Sequence, residues 1–188
     1  AADKPSAVRG AMRDHIHAVM SHYAGRIHTW DVVNEPMIGG ARGSSDNLFY
    51  RHLGEDYIAD ALRLAHEADP DAELHINEAF GNYHGEKAEG FLALLRDLRA
   101  QDAPLHGVGI QSHHINATKD PADLKQFMEK VAALGLRIEL TELDVPIHHF
   151  ADAHDPYAAQ GEFYRRWCEA ALSVPACRGI TVWGLDDS

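Results

Sequence analysis

Trp30-Asp31-Val32-Val33-Asn34-Glu35-Pro36 begins as β-branched and aromatic residues suited to a buried strand and stops abruptly at an amide, a carboxylate and a proline. A strand that ends this way presents its last polar side chains at the rim of a sheet. Arg137-Ile138-Glu139-Leu140-Thr141-Glu142-Leu143-Asp144 ends alike, with a carboxylate where the apolar run finishes. Two glutamates at the carboxyl ends of two strands outline the chemistry of glycosidic bond cleavage, which needs paired carboxylates.

The 188 residues can bury one substantial core, and nothing in them reads as a linker, so one folding unit is expected. No apolar run is long enough to span a bilayer, and no charged-then-apolar leader stands at the start. The net charge of -12 is scattered instead of blocked, which argues against nucleic acid and anionic membranes and suits a neutral polymer such as a polysaccharide. Two cysteines, Cys168 and Cys177, cannot staple a fold of this size, and a single bridge would need an oxidising compartment.

Residues 5–23 read as a helix with Pro5 in its first turn and Val8, Met12, Ile16, Val19 and Met20 on one face; Gly25 stops it. The first strand, 27–33, leads into a Gly/Ser-rich loop over 39–45, and loops of that kind often carry function. Helices are then expected over 55–68, 87–99, from Pro121 to a stop at Gly135, and from Pro156 onward. The last two carry an aspartate cap, Asp120 and Asp155, before the proline. Strands fall between them at 74–77, 107–111, 136–141 and 179–183. Five helices and five strands in strict alternation call for a parallel sheet covered by helices. An open doubly wound sheet and a (β/α)8 barrel both satisfy this. Polar residues end nearly every strand, which favours a barrel with one common mouth. A full barrel takes about 250 residues, and five strands are three short of closing one.

With those residues in view, the chain resembles the larger, C-terminal part of a glycoside hydrolase family 10 domain, the family of retaining endo-β-1,4-xylanases. The resemblance runs along essentially all of the sequence. Trp30 to Pro36 matches the family's fourth strand, Ile76-Asn77-Glu78 the fifth and Gly109-Ile110-Gln111-Ser112-His113 the sixth. Thr141-Glu142-Leu143-Asp144-Val145 then matches the seventh and Gly179-Ile180-Thr181-Val182-Trp183-Gly184 the eighth. The implied fold is α/β, a partial TIM barrel of about five βα units. The family's first three strands have no counterpart, its usual tyrosine after the acid following Asn77 is replaced by Ala79, and the sequence ends at Ser188 before a tryptophan the family places over its site.

By resemblance Glu35 is the acid/base and Glu142 the nucleophile, with xylan or xylo-oligosaccharide as substrate, no cofactor and a secreted location. The two carboxyl groups must differ in protonation, and a His113 that donates to Glu142 while being oriented by Asp144 would supply the difference. Asn34 is expected to hydrogen-bond the sugar 2-hydroxyl or Glu142. Asn77 and Gln111 are further polar contacts to substrate or ties for loop backbone, and Trp183 is a flat face for a pyranose ring. Trp30 and Trp167 are expected in the core. His148, His149, Asp152, His154 and Asp155 could ligate a metal but suit a solvated loop, and the reaction requires none. The family often carries a cysteine pair near this end. Its first member would fall near Ala171, one turn after Cys168, so a Cys168 to Cys177 disulfide stays open. A non-catalytic sugar-binding protein and a barrel glycosidase acting on cellulose or mannan are the competing functions. Five strands alone would leave two sheet edges unpaired, so poor stability or self-association is expected.

Overall fold

The computed structural model describes residues 4–38, 40–43 and 47–184. In chain order they form α1 (Lys4–Tyr23), β1 (Thr29–Asn34), β2 (Met37–Ile38), β3 (Ala41–Arg42), α2 (Leu48–Leu53), α3 (Tyr57–Ala68), β4 (Glu73–Glu78), α4 (Glu86–Ala100), β5 (Gly107–Ile110), α5 (Pro121–Ala132), β6 (Arg137–Leu143), a 3-10 turn (Ile147–Phe150), α6 (Pro156–Leu172) and β7 (Cys177–Val182). The helix ends follow their local chemistry. Asp120 and Asp155 accept from the backbone N–H of Ala122 (2.8 Å) and Ala158 (3.0 Å), with Pro121 and Pro156 opening the helices behind them. Gly25 and Gly135 take the left-handed backbone, φ 72° and 76°, just beyond α1 and α5.

β1, β4, β5, β6 and β7 form one sheet in that order, every pair parallel. Each new strand is added on the same side of the last. Because parallel crossovers are right-handed, such a sheet winds in one sense and keeps its helices on one face, as a barrel wall does. A doubly wound sheet would reverse its order at a switch point, and none is present among the described residues.

The strands alternate. Leu74, Ile76, Val108, Ile110, Ile138 and Leu140 are fully buried under the helices. The positions between them, His75, Asn77, Gly107, Gly109, Glu139 and Thr141, form the opposite face, polar or without a side chain. Parallel strands covered on both faces are usually apolar throughout, so this polar face marks the inside of a wall that carries a site. The two glycines of β5 are required by neighbours on either side. A Cβ at Gly107 would overlap the His75 ring, and one at Gly109 would overlap the Asn77 carboxamide and crowd the Thr141 methyl.

The expected strict alternation needs correction in one region. Where a loop was expected after Pro36, β2 and β3 form a small antiparallel hairpin, Met37 opposite Arg42, and α2 follows with Asn47 accepting from Tyr50 N–H at 3.0 Å. The hairpin forms because Met37, 1 % exposed, is buried beside α4 instead of entering solvent. Gly39, Ser44 and Ser45 of the loop expected over 39–45 lie outside the described residues. Trp167 is fully buried and Trp30 packs against the core partly exposed. Cys168 and Cys177 are free thiols, the latter bonded to the Gly179 carbonyl at 3.8 Å, so the structure contains no bridge between them. No helix among the described residues is long and apolar enough to cross a membrane.

Gly107→Ala is expected to destabilise the fold by about 1–3 kcal/mol through overpacking against His75, read as a lowered urea midpoint. A midpoint equal to that of the parent would contradict the close approach.

Candidate active site

The carboxyl ends of the five parallel strands meet at one rim, and main-chain hydrogen bonds extend the ladder past the strands to fix their last residues. Glu35 N–H donates to Asn77 O (2.9 Å), Gln111 N–H to Glu78 O (3.0 Å), Glu142 N–H to Gln111 O (3.0 Å) and Trp183 N–H to Leu143 O (3.0 Å). Two residues here take the left-handed backbone although they are not glycine: Glu35 (φ 51°) and Ser112 (φ 63°). Such strain gathers where surrounding contacts over-determine the chain, typically around functional groups.

A side-chain network joins the two glutamates. Asn77 Nδ2 donates to Glu142 Oε1 (2.8 Å) and to Asn34 Oδ1 (2.9 Å), while Asn77 Oδ1 accepts from the Thr141 hydroxyl (2.7 Å). Gln111 Nε2 donates to Glu35 Oε1 at 2.9 Å and lies 3.4 Å from Asn34 Oδ1. On the other side His113 stands between two acids, with Nε2 3.0 Å from Glu142 Oε2 and Nδ1 2.8 Å from Asp144 Oδ2. Both bonds are made at once when both ring nitrogens carry hydrogen. Asp144 is itself held by His114 N–H at 3.2 Å.

These groups border an open cleft of about 700 Å³, lined by Asn34, Glu35, Gln111, His113, Glu142 and Trp183 among others. Trp183 is 62 % exposed and meets the His113 ring edge-on, centroids 6.0 Å apart. A second, mostly apolar cleft of about 490 Å³ is bordered by α1, α2, α3 and the end of β1, and shares Asn34 with the first.

The structure therefore brings Glu35, Glu142, His113, Asp144, Asn34, Gln111 and Trp183 to one place. Asn77, expected as a polar contact to substrate or a tie for loop backbone, bridges side chains of neighbouring strands. It is 3 % exposed, absent from the cleft wall, and spends its carboxamide on Asn34, Thr141 and Glu142. The histidine-rich loop is drawn elsewhere as well: His149 Nε2 bonds the His114 carbonyl (2.6 Å), and among the described residues no three His, Cys, Asp or Glu side chains converge as a metal site would need.

Three residues were not singled out from the sequence. Lys87 and Lys119 both border the cleft; Lys119 donates to the His113 carbonyl, and Lys87 pairs with the fully buried Glu78 at 2.7 Å. Lys87 stands in the first turn of α4, where the helix dipole disfavours a cation. That misplacement was the available signal. Thr141 lay inside a quoted motif, but its role depends on Asn77, 64 positions away in sequence.

Beside the site, His114 is fully buried against Trp167 and Phe163, and burial, reinforced by Lys119 and His149, pushes it down to about 3. Burial, with His106, similarly lowers His75 to about 4. Both are thus neutral in the folded state down to low pH. Below about 6.5 the unfolded chain takes up protons that the folded chain does not, so stability falls as pH falls from 6.5 towards 4. We expect the urea midpoint of His114→Phe to fall less between pH 7.0 and 4.5 than that of the parent, by on the order of 2 kcal/mol in stability. An equal fall in both would contradict the buried neutral histidine.

The family model described as Glycosyl hydrolase family 10 matches residues 1–188. Endo-1,4-beta-xylanase A of Phanerodontia chrysosporium is 38% identical over 94% of this chain and 42% of its own length. Native xylanase 10B from Thermotoga maritima superposes with a TM-score of 0.86 at 30% identity, over 96% of this chain and 55% of that chain. Xylanase 10B from Thermotoga petrophila, solved in complex with xylobiose, gives 0.78 at 29% identity, over 92% and 53%. The chain spans about half the length of the curated relatives it matches. Its five parallel strands and their helices correspond to part of the TIM barrel of those xylanases. On the family match and this shared architecture, the chain belongs to glycosyl hydrolase family 10.

Proposed function

We propose that this protein is a retaining endo-1,4-β-xylanase in which Glu142 is the nucleophile and Glu35 the acid/base. The observation that carries the assignment is the unequal hydrogen bonding of the two carboxylates within one cleft. Glu142 has a partner on each oxygen, Asn77 on Oε1 and His113 on Oε2. Glu35 has the Gln111 amide on Oε1, and no bond to its Oε2 is found among the described residues. An acceptor dressed on both sides is held in place to attack, and a carboxyl with a free oxygen can exchange a proton with a ligand.

The chemistry follows in two displacements. Glu142 attacks the anomeric carbon and forms a glycosyl ester while Glu35 gives its proton to the departing glycosidic oxygen. Glu35, now ionised, takes a proton from water, whose oxygen attacks the same carbon and releases Glu142. The sugar leaves with its original anomeric configuration. Asn34, whose Oδ1 is engaged by Asn77 and Gln111, has its Nδ2 donor available for a sugar hydroxyl next to the reacting centre. Trp183 offers a ring face to the pyranose. Xylan as the polymer is supported by the names of the relatives and by the xylobiose bound in a solved family member.

Reducing-end release from xylan, cellulose and mannan tests this directly. Xylan is expected to be the preferred polymer, and Glu35→Ala and Glu142→Ala are each expected to lower its hydrolysis by about a thousandfold or more. With a dinitrophenyl β-xylobioside, whose leaving group departs without a proton, azide should restore turnover in both variants, giving a β-glycosyl azide with Glu35→Ala and an α-glycosyl azide with Glu142→Ala. Undiminished hydrolysis in either variant, or retention on immobilised xylan with no release by the parent protein, would overturn the proposal.

A further inference from the structure

We propose, building on the assignment of Glu35 as proton donor, that Glu78 and Gly90 are positioning residues which clamp the Met37–Arg42 hairpin and thereby hold the left-handed turn that carries Glu35. Glu35 has a backbone conformation that a side-chain-bearing residue keeps only under constraint. One constraint is its own amide on the Asn77 carbonyl. The other lies two residues on, where Met37 N–H donates to Glu78 Oε2 at 2.9 Å. Asn77 and Glu78, neighbours at the end of β4, thus grip the chain on both sides of Pro36.

Glu78 is fully buried, and its remaining oxygen accepts from Ala79 N–H (2.8 Å) and from the Lys87 ammonium (2.7 Å). Burial pushes its carboxyl above the usual range while Lys87 and the two amides pull against that. A carboxylate this costly to bury is retained when its partners are fixed in turn. One of those partners is the segment bearing Glu35; another, Lys87, reaches from α4 to the cleft.

The far side of the hairpin rests on the same helix. A Cβ at Gly90 would overlap the Gly40 carbonyl and approach Met37 Cε to 3.0 Å, so the contact requires glycine. Glycine is a poor residue for the middle of a helix, and α4 carries it where the hairpin docks. Arg42, at the end of the hairpin, pairs with Asp97 of the same helix and lies 3.5 Å from Glu55.

Two substitutions separate positioning from general stability. Glu78→Gln keeps the shape but turns one acceptor into a donor facing another donor. Gly90→Ala improves helix propensity while displacing the hairpin. In both, hydrogen exchange at the Met37 amide is expected to rise about tenfold or more with the amides of β5 and α5 unchanged. The kcat on xylan should fall about tenfold or more with little change in KM. The kcat/KM for a dinitrophenyl β-xylobioside, which reports the first displacement and whose leaving group needs no proton, should stay within about threefold. Glu78→Asp, which keeps the charge, should recover part of the xylan rate. Unchanged exchange at Met37, or equal losses on both substrates, would overturn the clamp. Should Glu35→Ala cleave xylan like the parent, the assignment of Glu35 fails, and exchange at Met37 decides the clamp by itself.

Discussion

The carboxamide of Asn77 is the constraint on which the rest of the site depends. Buried at the end of β4, it ties β1 through Asn34 and β6 through Thr141 and Glu142. Primary amides supply two donors and an acceptor in one rigid plane, and here all three directions are used. In a low-dielectric interior such a fully satisfied network is rigid, whereas a partly satisfied one would be costly. The fold makes room for it with an absence: Gly109, between Asn77 and Thr141, has no side chain to push the carboxamide off its partners.

That arrangement links the ordinary part of the molecule to the chemical part. The helix-covered face of β4, β5 and β6 is an unbroken layer of Leu, Ile and Val, and its burial provides much of the stability. The opposite face carries His75, Asn77, Glu139 and Thr141, groups that contribute little to collapse and must be held by one another. Continuing the parallel ladder beyond the strand ends sets Glu35, Gln111, Glu142 and Trp183 in register without relying on loops. The strained backbone falls on Glu35, which itself lines the cleft, and on Ser112, directly before the cleft residue His113.

Much of this was legible in the sequence because it is written in local patterns. Asp120-Pro121 and Asp155-Pro156 announce helices through capping chemistry, and the Glu35 and Glu142 strands announce a shared rim through their polar endings. The His113, Asp144 and Glu142 arrangement was within reach as well, since each residue closes a strand. The hairpin after Pro36 was not legible: its stabilising partners, Glu78, Gly90 and Asp97, lie on elements far along the chain. Asn77 stood between two readings, a substrate contact and a backbone tie, for a related reason. An amide at a strand end looks the same in sequence whether it faces a ligand or bridges two strands, and only the positions of Asn34 and Thr141 distinguish the two.

The central claim is that Glu142 attacks a sugar bound between it and Glu35. Inactivation with a 2-deoxy-2-fluoro β-xylobioside bearing a dinitrophenyl leaving group, followed by peptide mass mapping, tests it most directly, because fluorine slows release of the glycosyl ester enough for it to be isolated. The account predicts a single adduct, on Glu142, formed in step with loss of xylan hydrolysis. An adduct on Glu35 or Asp144, or hydrolysis that proceeds with Glu142 unlabelled, would contradict it.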